Sequence, residues 1–470
     1  MSHPTRQHFL WNQLLNWLRS RRMSTENLLM EPRERQGAGF GLYTTRPLPP
    51  STALCTIPAS ALLNIITLSP YYPRSDPPLT AVQLISLHIT LHRPKKANDA
   101  FSDPHFGPFI SILPPDFTFH PLFFFFFFLG PPTFHPLTWL WKQSHGLASA
   151  NEQHLIDILP TSVLDSMNEI HSKFKADWKR VSDYLKDNQN PFQTEPIDDA
   201  QFLWGWLNVN TRCIYYHIRN ARSDPDNISL CPLLDFANHT GKGPHMVVNY
   251  GSGDSLPRLG RANVTLVSPT SSVGENEEMY LVYGAHSNKR LFVEYGFVNQ
   301  VSAEIVARDD VSGEVDVQKH MENLFRERGK AGGWIRKILT DEGYWGDWTM
   351  HSGPVPAHPS FRLITALRLY HAIPLTGEER LSESLLSAWK ETILGTREII
   401  SEKNEELWRR TLLRICEIVE AEAQRSMKRA QDCVYDGWEA DAKEKISQLW
   451  LEEVLVAQEV KKSVEGGIAF

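Results

Sequence analysis

The chain changes texture three times along its length, and the order of those changes limits how it can fold. Residues 37–66 alternate short apolar segments with glycine, proline and serine signals, the pattern of small antiparallel strands joined by tight turns. From about 80 to 210 the apolar periods lengthen to helical size, as in AVQLISLHITL, between proline-rich loops. Residues 228–298 return to strand-like text in MVVNY, RANVTLVS and MYLVY, and from about 315 onward the text is mostly helical. There Trp408, Leu412, Ile415, Val419 and Ala423 advance by three or four residues along one face, while Arg409, Arg410, Arg414 and Glu417 fall mostly outside it. Strand-forming segments on both sides of a long helical stretch predict an α+β fold: a β-rich domain over 1–310 with a helical insertion at about 70–205, then an all-α domain over 311–470.

Composition narrows the class. At 470 residues the chain is long enough for two or three domains, and 41% hydrophobic with 22% charged residues excludes wholesale disorder. A formal net charge of −7 speaks against a broad electrostatic grip on nucleic acid or an anionic membrane. Cys55, Cys213, Cys231, Cys416 and Cys433 lie far apart with no CxxC, so a disulfide framework or a cysteine-rich zinc cluster is not expected. Near the start, Leu10, Leu14 and Leu18 recur every fourth residue among polar neighbours, which predicts an amphipathic helix and not a signal peptide. The most apolar run, Leu122 to Leu129, falls far short of the ~20 residues that cross a bilayer. A soluble monomer resident in the nucleus, the cytoplasm or both is the expectation.

One segment fits no period. TFHPL occurs at Thr118–Leu122 and again at Thr133–Leu137, and six consecutive phenylalanines, Phe123 to Phe128, lie between the copies. Such a run has neither the 3.6 nor the 2.0 repeat of a buried face, and exposed it is an aggregation hazard. Pyrimidine-only codons specify Phe, Leu, Pro and Ser, so a translated polypyrimidine tract from a retained intron accounts for it; a genuine buried plug is the alternative.

Three segments carry possible chemistry. GAGFGL at Gly37–Leu42 fails as a dinucleotide fingerprint, because Leu42 stands where a third glycine is required and strand text follows in place of a helix. It reads as a glycine-rich β-turn whose missing Cβ atoms allow close backbone approach. LCPLLDFANHTG, Leu230–Gly241, sets Asp235, Asn238 and His239 in an otherwise apolar, strand-like segment; an Asx-turn and a ligand pocket both suit that pattern. EEMYLVYGAHSNKRLFVEYGFV, Glu277–Val298, alternates Met279, Leu281 and Tyr283 as one strand face and frames Asn288 between two Tyr-Gly pairs, Tyr283–Gly284 and Tyr295–Gly296.

In this order and spacing the segments resemble the SET-domain protein methyltransferases, in the branch typified by the Rubisco large-subunit methyltransferase. The resemblance rests on Gly39-Phe40-Gly41, an Arg-bearing strand with Arg212, Pro232/Asp235/Asn238/His239, and Glu277/Glu278/Tyr283/Gly284/Asn288/Tyr295/Gly296/Phe297, and it spans nearly the whole chain. Ala285-His286-Ser287-Asn288 departs from the Arg-Ser-Asn lead-in usual in that branch. The resemblance implies a SET-domain β-fold in which residues 230–240 and 283–297 cross in a pseudoknot, followed by a helical substrate-binding domain. It implies methyl transfer from S-adenosyl-L-methionine to a protein lysine, with a non-histone and in particular a ribosomal protein as substrate. Tyr295 and Tyr283 are then the catalytic residues, Tyr295 as the tyrosine that aligns amine and sulfonium, and Tyr283, Tyr295 and Phe297 wall the lysine channel. The cofactor would be held by the backbone of Phe40, Gly41 and Leu42, by Asn238 and His239, by Arg212, Tyr295 and by Phe297 against the adenine; Asp235 would brace the turn. No metal, direct nucleic-acid contact or membrane contact is implied. A histidine-directed enzyme of the same fold and a catalytically silent binding module are the alternatives.

Overall fold

A computed structural model describes residues 6–35, 39–94, 103–114, 117, 137–188, 196–251, 259–307, 313–373, 383–431, 433–435 and 437–470. The phenylalanine run and all but Leu137 of the two TFHPL copies lie outside the described residues. The chain divides into two compact units. The first is Met1–Trp141, Asn168–Ala285 and Glu294–Gly296; the second is Lys142–Met167, His286–Val293 and Phe297–Phe470.

The first unit holds β1 (Met30–Arg35), β2 (Gly39–Thr44), β3 (Ala53–Ile57), β4 (Ile214–Tyr215), β5 (Ile228–Ser229), β6 (Val247–Tyr250), β7 (Val264–Val267) and β8 (Glu278–Met279). They form three small antiparallel sheets, β1-β2-β8, β3-β7-β6 and β4-β5, so strands from before and after the helical insertion share sheets. The period-two signal is real where one face is covered: Val264 and Leu266 of β7 are buried while Thr265 and Val267 between and after them are half-exposed. The insertion is helical as expected. Helix Ala81–Leu91 starts in a capping box, in which Thr80 Oγ1 accepts from Gln83 N–H and Gln83 Oε1 accepts from Thr80 N–H. It packs against helix Asp199–Arg212 so closely that a Cβ on Gly205 would lie 2.2 Å from Thr90 Oγ1. Asp177 joins the pair, accepting from Gln83 Nε2 and Trp206 Nε1 at 2.8 Å each. Leu14 and Leu18 of the N-terminal helix Arg6–Ser20 are fully buried in this unit's core.

Three expectations are corrected. Arg212 ends helix Asp199–Arg212 and is not on a strand, because the apolar period of Phe202, Leu203, Trp206 and Val209 carries the helix to that point. Residues 230–240 do not run as a strand: Leu230 and His239 each make a single β-bridge, and between them lies a turn of 3-10 helix, Leu234–Phe236, entered through Leu233 at φ +67°. Residues 288–295 form a helix, Asn288–Tyr295, although LFVEY is rich in β-forming side chains; Leu291 and Phe292 are fully buried, and tertiary packing overrides local propensity.

In the second unit Trp408, Leu412, Ile415, Val419 and Ala423 are all buried along helix Glu402–Gln431, which packs on helix Trp438–Glu465 and on helix Phe361–Ala372. A small sheet lies among these helices: β9 (Glu314–Asp316), β10 (Thr349–His351) and β11 (His358–Pro359), with β10 central. Its strands of two or three residues are too short to leave a period in the sequence, so the region expected to be all-helical carries a sheet as well. All five cysteines are free thiols, and burial pushes Cys55 and Cys416 up to about 12. Among the described residues no helix is long and apolar enough to cross a membrane.

Helix Trp438–Glu465 buries Glu452, whose Oε1 accepts from Glu314 N–H at 3.1 Å. Burial raises its pKa from 4.5 to about 7 against the opposing hydrogen bonds from Glu314 and Asn288, and Glu453 beside it is raised to about 8 by burial and by Glu452. The folded chain therefore keeps protons that the unfolded chain has released. The contribution of Glu452 to stability is fully present below about pH 4.5 and is lost as pH rises through 7. Urea midpoints measured from pH 5 to pH 8 should fall, with Glu452 costing up to about 3 kcal/mol, and Glu452→Gln should flatten that fall.

Candidate active site

The centre of the site is a short parallel pairing between two segments distant in sequence. Leu281 N–H donates to Asn238 O and Thr240 N–H donates to Leu281 O, both at 2.8 Å, so His239 bridges Leu281 in parallel. Met246 N–H donates to Tyr280 O at 2.8 Å and extends the attachment. Just beyond the bridge, Tyr283 N–H donates to His239 Nδ1 at 3.2 Å. A backbone amide can only donate, so Nδ1 is the acceptor and the neutral imidazole carries its proton on Nε2.

Tyrosine rings follow outward from that histidine, tilted against one another. His239 and Tyr283 have ring centroids 5.1 Å apart, and Tyr283 and Tyr295 follow at 5.3 Å with planes inclined by 38°. Tyr283 Oη donates to Ala237 O at 2.8 Å. Burial, reinforced by Asp235, Tyr295 and Glu278 and opposed by Arg212, raises the Tyr283 pKa above that of a free phenol, so this hydroxyl stays protonated and acts as a donor. Helix Asn288–Tyr295 delivers Tyr295 at its C-terminal end. Asn288 is buried at the start of that helix, where it accepts from Asn299 N–H at 2.7 Å and donates to Asn299 O at 3.2 Å.

Phe40, Gly41 and Leu42 lie within β2, the middle strand of its sheet, and not in a turn. The register sets Leu42 opposite Met279 and Tyr43 opposite Glu278. A Cβ on Gly41 would stand 2.6 Å from Glu278 Oε1 and 2.9 Å from Tyr43 Cε2. The missing side chain thus makes room for a carboxylate of the chain itself. That carboxylate is a hub: Oε1 accepts from Asn238 Nδ2 at 2.7 Å and Oε2 accepts from Tyr280 Oη at 2.7 Å. Asn238 Nδ2 donates also to Phe40 O at 3.1 Å, so its amide is oriented by both strands. The side chain of Leu42 is fully buried in the core, while Phe40 meets Phe236 edge-on at 5.9 Å.

Arg212 and Asp235 form an ion pair at 3.1 Å, and Arg212 Nη1 also donates to Asp235 O at 3.0 Å. These contacts tie Asp235 to Arg212 within the Leu234–Phe236 turn that leads into Asn238. Arg212 Nε is buried with no hydrogen-bond partner among the described residues. The structure thus brings Phe40, Gly41, Arg212, Asn238, His239, Tyr283 and Tyr295 into one connected set within the first unit, whereas Phe297 belongs to the second unit. Glu278 was legible as half of a Glu-Glu pair, but nothing in its spacing announced that its side chain lies over Gly41.

These features define a SET-domain fold, and the resemblance read in the sequence is borne out by comparison with known proteins. No family model matches the chain. It is similar to ribosomal lysine N-methyltransferase set11 of Schizosaccharomyces pombe, with 27% identity over 350 residues, 74% of this chain and 71% of the relative. SET domain-containing protein 4 of Homo sapiens is 27% identical over 410 residues, 83% of this chain and 77% of that protein. Among solved structures, the SET domain of LSMT (Rubisco LSMT) bound to lysine and AdoHcy matches with a TM-score of 0.62 at 15% identity, covering 99% of this chain and 92% of that one.

Gly41→Ala should push the Glu278 carboxylate away and release Asn238. The expected outcome is a loss of S-adenosyl-L-methionine affinity of about tenfold, near 1.4 kcal/mol, with thermal stability lowered only modestly. Calorimetric titration beside a melting curve checks it.

Proposed function

We propose that this chain is an S-adenosyl-L-methionine-dependent protein-lysine N-methyltransferase whose substrate is a non-histone protein, a ribosomal protein in the first place. The observation that carries the reading is the series of tilted aromatic rings His239–Tyr283–Tyr295 beside the carbonyl of Ala237: aromatic groups with a few oriented polar atoms. The name of the fission-yeast relative supports the ribosomal substrate, and the LSMT complex with lysine and AdoHcy supports the pairing of amine and cofactor on this fold.

The residues present suit the cofactor. The unpartnered Nε of Arg212 offers a buried donor to a carboxylate, and Asn238 and His239 present an oriented amide and imidazole. With the backbone of Phe40, Gly41 and Leu42 these would hold S-adenosyl-L-methionine, which when bound supplies a sulfonium-activated methyl group. Neutralising a lysine of pKa near 10.4 at pH 7 costs roughly 4.6 kcal/mol. An aromatic channel lowers that cost, because desolvation disfavours the ammonium. Tyr283 is neutral with its hydroxyl bonded to Ala237 O, so it walls the channel and takes no proton. Tyr295 then orients the amine and stabilises charge in the transition state, acting through position and electrostatics. The helical region 311–470 would bind the protein substrate. On this reading the enzyme works as a monomer in the nucleus or the cytoplasm, on a protein and not on nucleic acid or membrane.

Purified chain incubated with labelled S-adenosyl-L-methionine and isolated ribosomes should label a discrete ribosomal protein, with methyl-lysine located by mass spectrometry. Tyr295→Phe should lower turnover tenfold or more, at least about 1.4 kcal/mol of transition-state stabilisation, with cofactor affinity nearly unchanged. Asn238→Ala should show the opposite split. No labelled protein in ribosomes or whole extract contradicts the enzymatic reading, and label on histidine contradicts the lysine assignment.

A further inference from the structure

Away from the candidate active site, the helical insertion assembles a second cluster of coordinating side chains. Helix Ala81–Leu91 places His88 one turn before its C-cap residue His92, the i, i+4 spacing that puts two imidazoles on one helical face. Asp103 comes to them from the following loop. The three are 1%, 5% and 1% exposed, and one ligand atom from each lies within 4.8 Å of the other two. Asp103 is positioned independently of the histidines: Oδ1 accepts from His105 N–H at 3.0 Å and Oδ2 from Phe106 N–H at 2.7 Å.

Two features point to a cation. A carboxylate this deeply buried needs compensating positive charge, and the ion-pair partner found for it among the described residues is an imidazole, His88 Nε2, at 3.1 Å from Oδ2. That separation is close to the roughly 3.3 Å edge between two ligands of a tetrahedral zinc ion. The other nitrogen, His88 Nδ1, lies 2.8 Å from Tyr72 Oη. Without a metal, Nε2–H donates to Asp103 Oδ2; with a metal taking the place of that proton, Nδ1–H would donate to Tyr72 Oη, the outer-shell arrangement of metal-binding histidines.

We propose that His88, His92 and Asp103 form a site for a divalent transition metal, zinc being the ion this nitrogen and oxygen set suits best. With three protein ligands, a water molecule would complete the tetrahedron. The site shares no residue with the candidate active site, and its role is structural. It would clasp helix Ala81–Leu91 to the turn at 103–107, on which the N-terminal helix rests through Trp17 Nε1 and Arg21 Nη2, each donating to His105 O at 2.8 Å.

The test uses the full chain carrying no histidine tag. After zinc loading and dialysis, elemental analysis should find about one zinc per chain, and a strong chelator should lower the melting temperature. His92→Ala, which leaves the Tyr72–His88–Asp103 hydrogen bonds in place, should hold less than a tenth of that zinc and melt identically with and without chelator. Wild-type protein that retains no zinc and melts the same either way would overturn the proposal and leave a hydrogen-bonded triad only, as would a folded His92→Ala variant with undiminished zinc. If that variant fails to fold, the wild-type measurement decides alone.

Discussion

Two backbone hydrogen bonds, Leu281 N–H to Asn238 O and Thr240 N–H to Leu281 O, hold together what the rest of the site needs in one place. The segments they join are separated in sequence by β6 and β7, and each brings different chemistry: an asparagine–histidine step on one, a tyrosine on the other. A parallel pair this short gains little by itself, since one backbone hydrogen bond contributes only about 1 kcal/mol net. Its register is secured from both sides. Met246 N–H donates to Tyr280 O, and Tyr283 N–H caps the His239 ring, so a slip by one residue would break several bonds at once.

The same economy governs β2. Gly41 leaves out a side chain, Glu278 fills the space with a carboxylate, and that carboxylate orients Asn238 and accepts from Tyr280. A residue without a side chain of its own therefore sets the geometry of the amide beside it. Charge is treated likewise. Asp235 is paired with Arg212 beside the turn leading to Asn238, apart from the aromatic series His239, Tyr283 and Tyr295.

Much of this was legible in the sequence, because the signals were local and strong. Trp408 to Ala423 show their buried face through a helical repeat, and Asn238-His239 with the two Tyr-Gly pairs stand out as polar or aromatic groups in fixed order. What escaped was tertiary in origin. LFVEY reads as strand but is helix because Leu291 and Phe292 find a core. Arg212 stays helical because the apolar period runs on past Trp206. The sheet β9-β10-β11 is built from strands too short to leave a pattern. Glu278 gains its role because its side chain, opposite Tyr43 in the register, reaches over the bare backbone of Gly41, a contact that only the folded sheet defines.

A crystal structure of the chain with S-adenosylhomocysteine is the most direct check on the central claim, that the pairing of 238–240 with 280–283 creates the cofactor pocket. The account predicts the sulfur of the bound product beside Tyr295, with its amino-acid end toward Arg212 and its remaining polar groups met by Asn238 and His239. Product bound elsewhere, or a structure in which the asparagine–histidine step and Tyr295 lie in separate cavities, would contradict it.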